Sequence, residues 1–355
     1  MNTHALRRVS RLGMVATVGL VASLATATPA HAAAPSASAS IVDRTLTITG
    51  SNAPDDIAIS VAAANQNTLL VDFGNDGVVD QQFDRSTFDA LSVSLGNGND
   101  RFTATGVTVP TSSTIDGGNG DDSLIGTGSA DVVSGGNGND TINSGAGDDT
   151  INAGNGNDFV VGGLGHDTAN LDTGDDVFRW DAGEGSDDVD GANGNDVLLF
   201  NGAGANEAMT LSAVGTRAVF ARSPGNVVMN LDAVEQLDLH TFAGTDTLAV
   251  NDTSSSALRN MNVDLSASGD GVNSDHQPDV VTVNGTDRGD HVGVSASGNV
   301  VDVVGVPASV HISGSSAADL DRLQVNTGDG NDTIALDPAV PALIGVSTDL
   351  GAGQV

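Results

Sequence analysis

The chain has 355 residues, with 46 acidic side chains against 12 basic ones and a net charge of −34. Every basic residue is arginine, all but three of the acids are aspartate, and cysteine, lysine and tyrosine are absent. That balance disfavours nucleic acid and anionic lipid as partners, rules out disulfide staples, and removes three of the side chains used as nucleophile or base.

In chain order, residues 1–11 (MNTHALRRVSR) are basic through Arg7, Arg8 and Arg11, and residues 12–26 are apolar or small. Ala30-His31-Ala32 then places small residues at a cleavage site, which predicts a signal peptide over 1–32 and a secreted, extracellular protein. No second apolar span follows, so no membrane span is expected once the signal is removed. Three arginines and no acid would leave with it, taking the net charge to −37. Residues 33–40, rich in Ser and Ala, read as a linker.

Residues 41–110 alternate apolar and polar in short runs at Thr45–Thr49, Ile57–Val61, Leu69–Phe73 and Leu91–Leu95, which predicts strands. Two decayed nine-residue units, GSNAPDDIA at 50–58 and LGNGNDRFT at 95–103, make this an irregular entry to whatever the next segment builds. Residues 72–83 tempt a calcium-loop assignment. Gly74 and Phe83, however, stand where oxygen ligands are needed, so a tight hairpin turn at Asn75-Asp76-Gly77 is expected instead.

The segment 116–199 sets the architecture. From Gly117 it reads GGNGDDSLI, GTGSADVVS, GGNGNDTIN, SGAGDDTIN, AGNGNDFVV, GGLGHDTAN and LDTGDDVFR. Trp180 and Asp181 intervene, and AGEGSDDVD and GANGNDVLL complete nine units of nine. The sixth place is always Asp: Asp122, Asp131, Asp140, Asp149, Asp158, Asp167, Asp176, Asp187 and Asp196. The eighth is always apolar: Leu124, Val133, Ile142, Ile151, Val160, Ala169, Phe178, Val189 and Leu198. Glycine recurs at the second and fourth places, as Gly118 and Gly120, Gly136 and Gly138, Gly145 and Gly147, Gly154 and Gly156, and Gly163 and Gly165. A fixed period over so long a run means stacked repeats. Glycine lets a short turn aim its carbonyl oxygens at one point. Those oxygens with a carboxylate suit a hard cation such as calcium, whereas zinc would want thiolates or clustered imidazoles. An isolated unit is equally an Asx-Gly turn without metal; nine in register would stack carboxylates that repel unless a cation intervenes.

The consensus GGxGxDxUx, with U apolar, resembles the calcium-binding nonapeptide repeats of the RTX (repeats-in-toxin) family. The resemblance implies an all-β fold: a right-handed parallel β-roll or β-helix stapled by calcium, with irregular β-rich flanks. It also implies that residues eighteen apart stack on one edge. Asp122, Asp140, Asp158 and Asp176 would line one edge, and Asp131, Asp149 and Asp167 the other. Trp180–Asp181 would form a bulge that keeps the stacking. The Asp carboxylates and turn carbonyls would hold several calcium ions, up to about seven, and fewer where Thr127-Gly128-Ser129 departs from the consensus.

Over residues 200–355 the strict period gives way to Asp-x-U-x-U, at Asp246, Asp279, Asp290, Asp321 and Asp332, with one nearly complete unit, TGDGNDTIA, at 327–335. Uneven spacing predicts a degenerate β-solenoid with loops on its corners and a further metal ligand at Asp332. Residues 351–355 read as a repeat cut short. No HExxH or GxSxG motif occurs, and a single Trp offers little aromatic surface for a sugar cleft, so no enzyme is expected. His166, at a fifth place, is expected in solvent. The third places, read along the chain, mix Asn with Gly, Ala, Leu, Thr and Glu, which argues against a regular outward file. The function expected is a secreted calcium-binding structural protein that folds on binding calcium. The alternatives are an extracellular adhesin, with cell-wall or matrix polysaccharide as the candidate partner, and a secreted hydrolase.

Overall fold

Short strands separated by glycine-rich turns cannot bury an apolar face alone, so each must stack on a neighbour. The computed structural model describes residues 37–351, and the signal peptide and the start of the expected linker lie outside the described residues. The linker's last three residues are strand rather than linker, because Ser38–Val42 pairs antiparallel with Thr45–Thr49. The four strands expected between 41 and 110 are present, at Thr45–Thr49, Asp56–Val61, Thr68–Phe73 and Ala90–Asn97. Residues 75–77 do lie in a hairpin connection, but it spans 74–80 between Thr68–Phe73 and Gln81–Asp84. Asp72 accepts the N–H groups of Asp76 and Gly77, at 3.3 and 2.9 Å, inside that loop.

Among the described residues the strands form two sheets of fifteen, mostly parallel, through which the chain passes alternately. In the repeats, Ser113–Asn119, Asp131–Asn137, Thr150–Asn155 and Thr168–Thr173 lie in one sheet. Ser123–Ile125, Thr141–Ala146, Phe159–Leu164 and Val177–Asp181 lie in the other. Register follows the eighteen-residue period: Val133 opposes Ile151, and Ile142 opposes Val160. Every eighth-place side chain points inward and is buried. Side chains in a strand alternate between its faces, so each three-residue strand core contributes one apolar group to a narrow interior.

Trp180 and Asp181 do not form a bulge. They lengthen the strand Val177–Asp181, which pairs in parallel with Val197–Asn201, so Phe178 opposes Leu198 across twenty residues instead of eighteen. Trp180 is fully buried, stacks on Phe200 with ring centroids 4.1 Å apart, and donates its indole N–H to the Gly185 carbonyl at 2.8 Å. Phe220 closes the group at 4.7 Å from Phe200, and the guanidinium of Arg222 lies over the Trp180 ring. An indole inside the roll requires a wider coil, and the two extra residues provide it.

Beyond Leu199 the solenoid continues, but loops on corners do not account for all of the uneven spacing. Two antiparallel meanders are built into the walls. Ala208–Val214, Arg217–Ser223 and Val227–Asp232 occupy one sheet, and His291–Ser297, Val300–Val304 and Ser309–Ser313 the other. The apolar pairs following Asp246, Asp279, Asp290 and Asp321 are buried as expected. The pair after Asp332 is not: Leu336 is 41 % exposed, because Thr333–Leu336 is the outermost strand of its sheet.

Candidate metal centre

The turns between the sheets carry the chemistry. The ten second- and fourth-place glycines of the consensus units all have positive φ, between 94° and 139°. At Gly120 a side chain would be strained by φ of 128°, and its Cβ would also collide with the carbonyl oxygen of Gly98 in the preceding coil. The same contact recurs at Gly138 against Gly120, and at Gly156 against Gly138. Turn carbonyls therefore point along the solenoid axis, each into the next turn.

Sixth-place aspartates form two ladders. Turns that carry Asp122, Asp140, Asp158, Asp176 and Asp196 lie on one edge. Asp140 Oδ1 accepts the backbone N–H of Asp122 at 2.7 Å, Asp158 that of Asp140 at 2.7 Å, Asp176 that of Asp158 at 2.7 Å, and Asp196 that of Asp176 at 2.9 Å. On the other edge Asp149 accepts from Asp131, Asp167 from Asp149 and Asp187 from Asp167, at 2.8–2.9 Å. The stacking expected of both edges is present, and it continues past Trp180–Asp181 without a break.

Each ladder spends one carboxylate oxygen and leaves the other. Oδ2 of Asp122, Asp140, Asp149, Asp158, Asp167, Asp176, Asp187 and Asp196 is buried with no hydrogen-bond partner. A buried, unpaired carboxylate oxygen is costly. Burial accordingly raises these acids, to about 7 for Asp140 and Asp176 and to about 6 for Asp122, Asp149, Asp167, Asp187 and Asp196. The ladder N–H bonds oppose that shift, and at most of these positions neighbouring carboxylates add to it. Beside Gly117 two oxygens converge: a Cβ there would lie 2.5 Å from Asp122 Oδ2 and 2.6 Å from the Gly135 carbonyl oxygen of the next coil.

These donors fit calcium. They are all oxygens, anionic and carbonyl together, in a flexible main-chain frame. Among the described residues no three Asp, Glu or His side chains gather into one cluster, so a cation would lean on main-chain carbonyls as much as on carboxylates.

Asp131 stands apart. Its Oδ1 accepts from the hydroxyls of Ser113 and Thr127, and its Oδ2 from the Thr127 N–H at 2.6 Å. Thr127 occupies a second place where consensus units have glycine, and its N–H turns inward to close the site on itself. The two oxygens of Asp332 likewise accept from the Asp290 N–H at 2.8 Å and the Thr327 hydroxyl at 3.1 Å.

Three aspartates absent from the expected site resemble the ladder members. Asp100, at the sixth place of the decayed unit 95–103, has an unpartnered buried Oδ2, and so do Asp246 and Asp279. Burial raises Asp246 to about 7 and Asp279 to about 8. The signal was present: Asp100 follows the second- and fourth-place glycines Gly96 and Gly98, while Asp246 and Asp279 precede alternating apolar patterns but lack the full glycine pair that would distinguish them from the turn-closed Asp290 and Asp321.

Outside the ladders, one edge carries a file of asparagines. Asn119 donates its side-chain amide to Asn97, Asn137 to Asn119 and Asn155 to Asn137, each at 2.8 Å, and Thr173 continues the file to Asn155. Third places that look mixed along the chain are thus nearly regular on this one edge, while Gly128, Ala146, Leu164 and Glu184 on the other edge remain mixed. His166 is exposed, as expected.

No curated protein gives a significant match to the chain. A family model described as the RTX calcium-binding nonapeptide repeat matches in four copies, at residues 116–151, 134–169, 143–178 and 181–198. The ladder-bearing segment from 116 to 198 is therefore a run of RTX calcium-binding nonapeptide repeats.

Proposed function

We propose that this is a secreted structural protein in which calcium, bound between stacked turns, is the switch for folding. The observation that carries the reading is the file of buried, partnerless Oδ2 atoms on both edges of the repeats. Bound calcium would supply positive charge to these carboxylates and link neighbouring coils through shared oxygen ligands. Asp122, Asp140, Asp149, Asp158, Asp167, Asp176, Asp187 and Asp196 present the carboxylates, and the second- and fourth-place glycines allow the carbonyls to face the next turn. Asp131, closed by Thr127 and Ser113, takes no direct part in this reading.

Without the cation the segment holds stacked, desolvated acids over a narrow core to which each strand adds one or two apolar groups. Apolar burial of that size does not offset both the charge and the lost chain entropy. Binding free energy then becomes folding free energy, and ordered coils template their neighbours. Extracellular calcium modules bind at roughly 10⁻⁴–10⁻³ M, so the chain would stay unfolded before export through the signal at 1–32 and fold outside.

The test is far-ultraviolet circular dichroism of residues 33–355 in chelator and then in millimolar calcium. A disordered spectrum should become β-rich, with magnesium a poor substitute. A chain fully β-structured in chelator, and no more stable in calcium, would overturn the reading.

A second reading, an extracellular interaction module, is favoured by the exposed asparagine file, which offers evenly spaced amides to a repeating polymer. Retention of the calcium-loaded chain on cell-wall polysaccharide, abolished by Asn137→Ala with Asn155→Ala, would support it.

A further inference from the structure

We propose that a divalent cation, calcium, binds between the coils that carry Asp246 and Asp279, outside the nonapeptide run. The two coils are neighbours in one sheet: Thr247 opposes Val280 and Leu248 opposes Val281 in parallel register. Parallel strands lie about 4.8 Å apart. The carboxylates extend a second ladder, in which Asp246 Oδ1 accepts the Glu207 N–H at 2.7 Å, Asp279 Oδ1 the Asp246 N–H at 2.8 Å, and Asp321 Oδ1 the Asp279 N–H at 3.0 Å.

This column meets its buried charge in different ways at its ends and its centre. Glu207 is neutralised by the buried guanidinium of Arg222 and accepts the Ala203 N–H. Asp321 Oδ2 accepts the Ser316 N–H of its own turn at 2.7 Å. Between them Asp246 and Asp279, only 2 % and 1 % exposed, each keep a buried Oδ2 with no partner. Asp275, whose carboxylate accepts the Gly244 N–H at 2.9 Å, adds further negative charge to both. Of the nearby cations, Arg222 is already committed to Glu207 and to the Pro224 carbonyl.

The turn before Asp246 has the repeat's backbone and its fourth-place glycine, with Phe242 in place of the second. Phe242 and Gly244 have φ of 62° and 134°. Asp172 and Gly174, with 73° and 148°, precede Asp176, and Ala192 and Gly194, with 60° and 155°, precede Asp196. An aromatic residue in the left-handed region is uncommon and costs strain, which is retained where surrounding structure demands that conformation. The Ala205 carbonyl oxygen, from the coil of Glu207, lies 2.8 Å from where a Gly244 Cβ would be, so this turn stacks on its predecessor as Gly120 stacks on Gly98. Two carboxylate oxygens, with no sulfur or imidazole beside them, select a hard cation.

The test is the number of calcium ions bound by the full chain at saturation, with Asp246→Asn, Asp279→Asn, the double variant and Asp321→Asn compared. Asparagine keeps the Oδ1 acceptor of the ladder and removes the charge. Each single variant should bind one ion fewer than the wild type, the double variant also one fewer, and Asp321→Asn the full number. An unchanged count in both single variants overturns the site, while leaving the repeats' own calcium in place. A loss here with no loss in Asp140→Asn or Asp158→Asn would instead overturn the repeat reading and keep this one. Should the variants fail to fold, a crystal of the calcium-loaded wild-type chain decides. An ion touching both Oδ2 atoms supports the site, and a water or a direct carboxyl–carboxylate hydrogen bond there refutes it.

Discussion

The nonapeptide segment and the region beyond Leu199 use the same kind of ladder but are held together differently. In the repeats each strand buries one or two apolar side chains, while carboxylate oxygens remain unpaired on both edges. Beyond them most strands bury two, as at Leu248 and Val250 or Val281 and Val283, though the outer strands Thr333–Leu336 and Gly345–Asp349 bury none, and the walls are widened by meanders. Most of the edge acids there are answered by the protein itself, through the Thr286 N–H at Asp290, the Ser316 N–H at Asp321 and Arg222 at Glu207. Short period and self-sufficiency are therefore in competition. Among the nine-residue units only that of Asp131 closes its own carboxylate, through Thr127 in place of the second glycine.

The largest expected effect follows directly. In chelator, amide exchange protection should collapse across 116–199 while strands such as Val280–Asn284 and Arg322–Asn326 keep theirs. Hydrogen exchange read by mass spectrometry would show it, and equal loss in both halves would erase the distinction. Next in size is Ile151→Asp, which puts an unpartnered charge into the narrow interior and should cost about 4 kcal/mol or more. Saturating calcium should not restore its circular dichroism, since the defect lies in the core and not at the edge.

The pH dependence sharpens the comparison. Ladder acids raised to about 6 or 7 in the fold bind protons that the unfolded chain releases near pH 4. Their contribution to metal-free stability is full below that pH and is lost as pH rises through 6 to 7. In calcium the slope should reverse, because protons compete with the ion for the same oxygens. Urea midpoints between pH 4 and 8, with chelator and with calcium, should cross; parallel curves would contradict the linkage.

A smaller contrast separates two aspartates of the same motif. Asp158→Asn should lower bound calcium, whereas Asp131→Asn should leave the count unchanged and lower stability by about 1–3 kcal/mol through its lost turn hydrogen bonds. Asp84→Ala, which removes an exposed carboxylate capping the short turn Arg85–Thr87, should leave calcium stoichiometry where it was. Calcium titration of the three variants, monitored by isothermal calorimetry, checks both statements.

Sequence alone determined the period, the two edges and the inward eighth place, because a strict repeat makes each position's environment recur. An inward apolar eighth place with glycine at the second and fourth places of most turns leaves the chain few ways to stack. Tertiary structure decided what depends on a neighbouring coil. Whether an aspartate keeps a free oxygen is set by a residue four or five positions earlier, such as Thr127 or Ser316, and by which way its N–H turns. Whether Trp180 covers the roll or fills it depends on Phe200 twenty residues on and on Phe220 across the core. Phe242 in a left-handed conformation has no signature in a propensity argument, since φ > 0 is expected of glycine there. The meanders escaped for the same reason: alternating apolar patterns announce strands but not their direction, and hairpins inside a parallel wall bury the same face as the coil they replace.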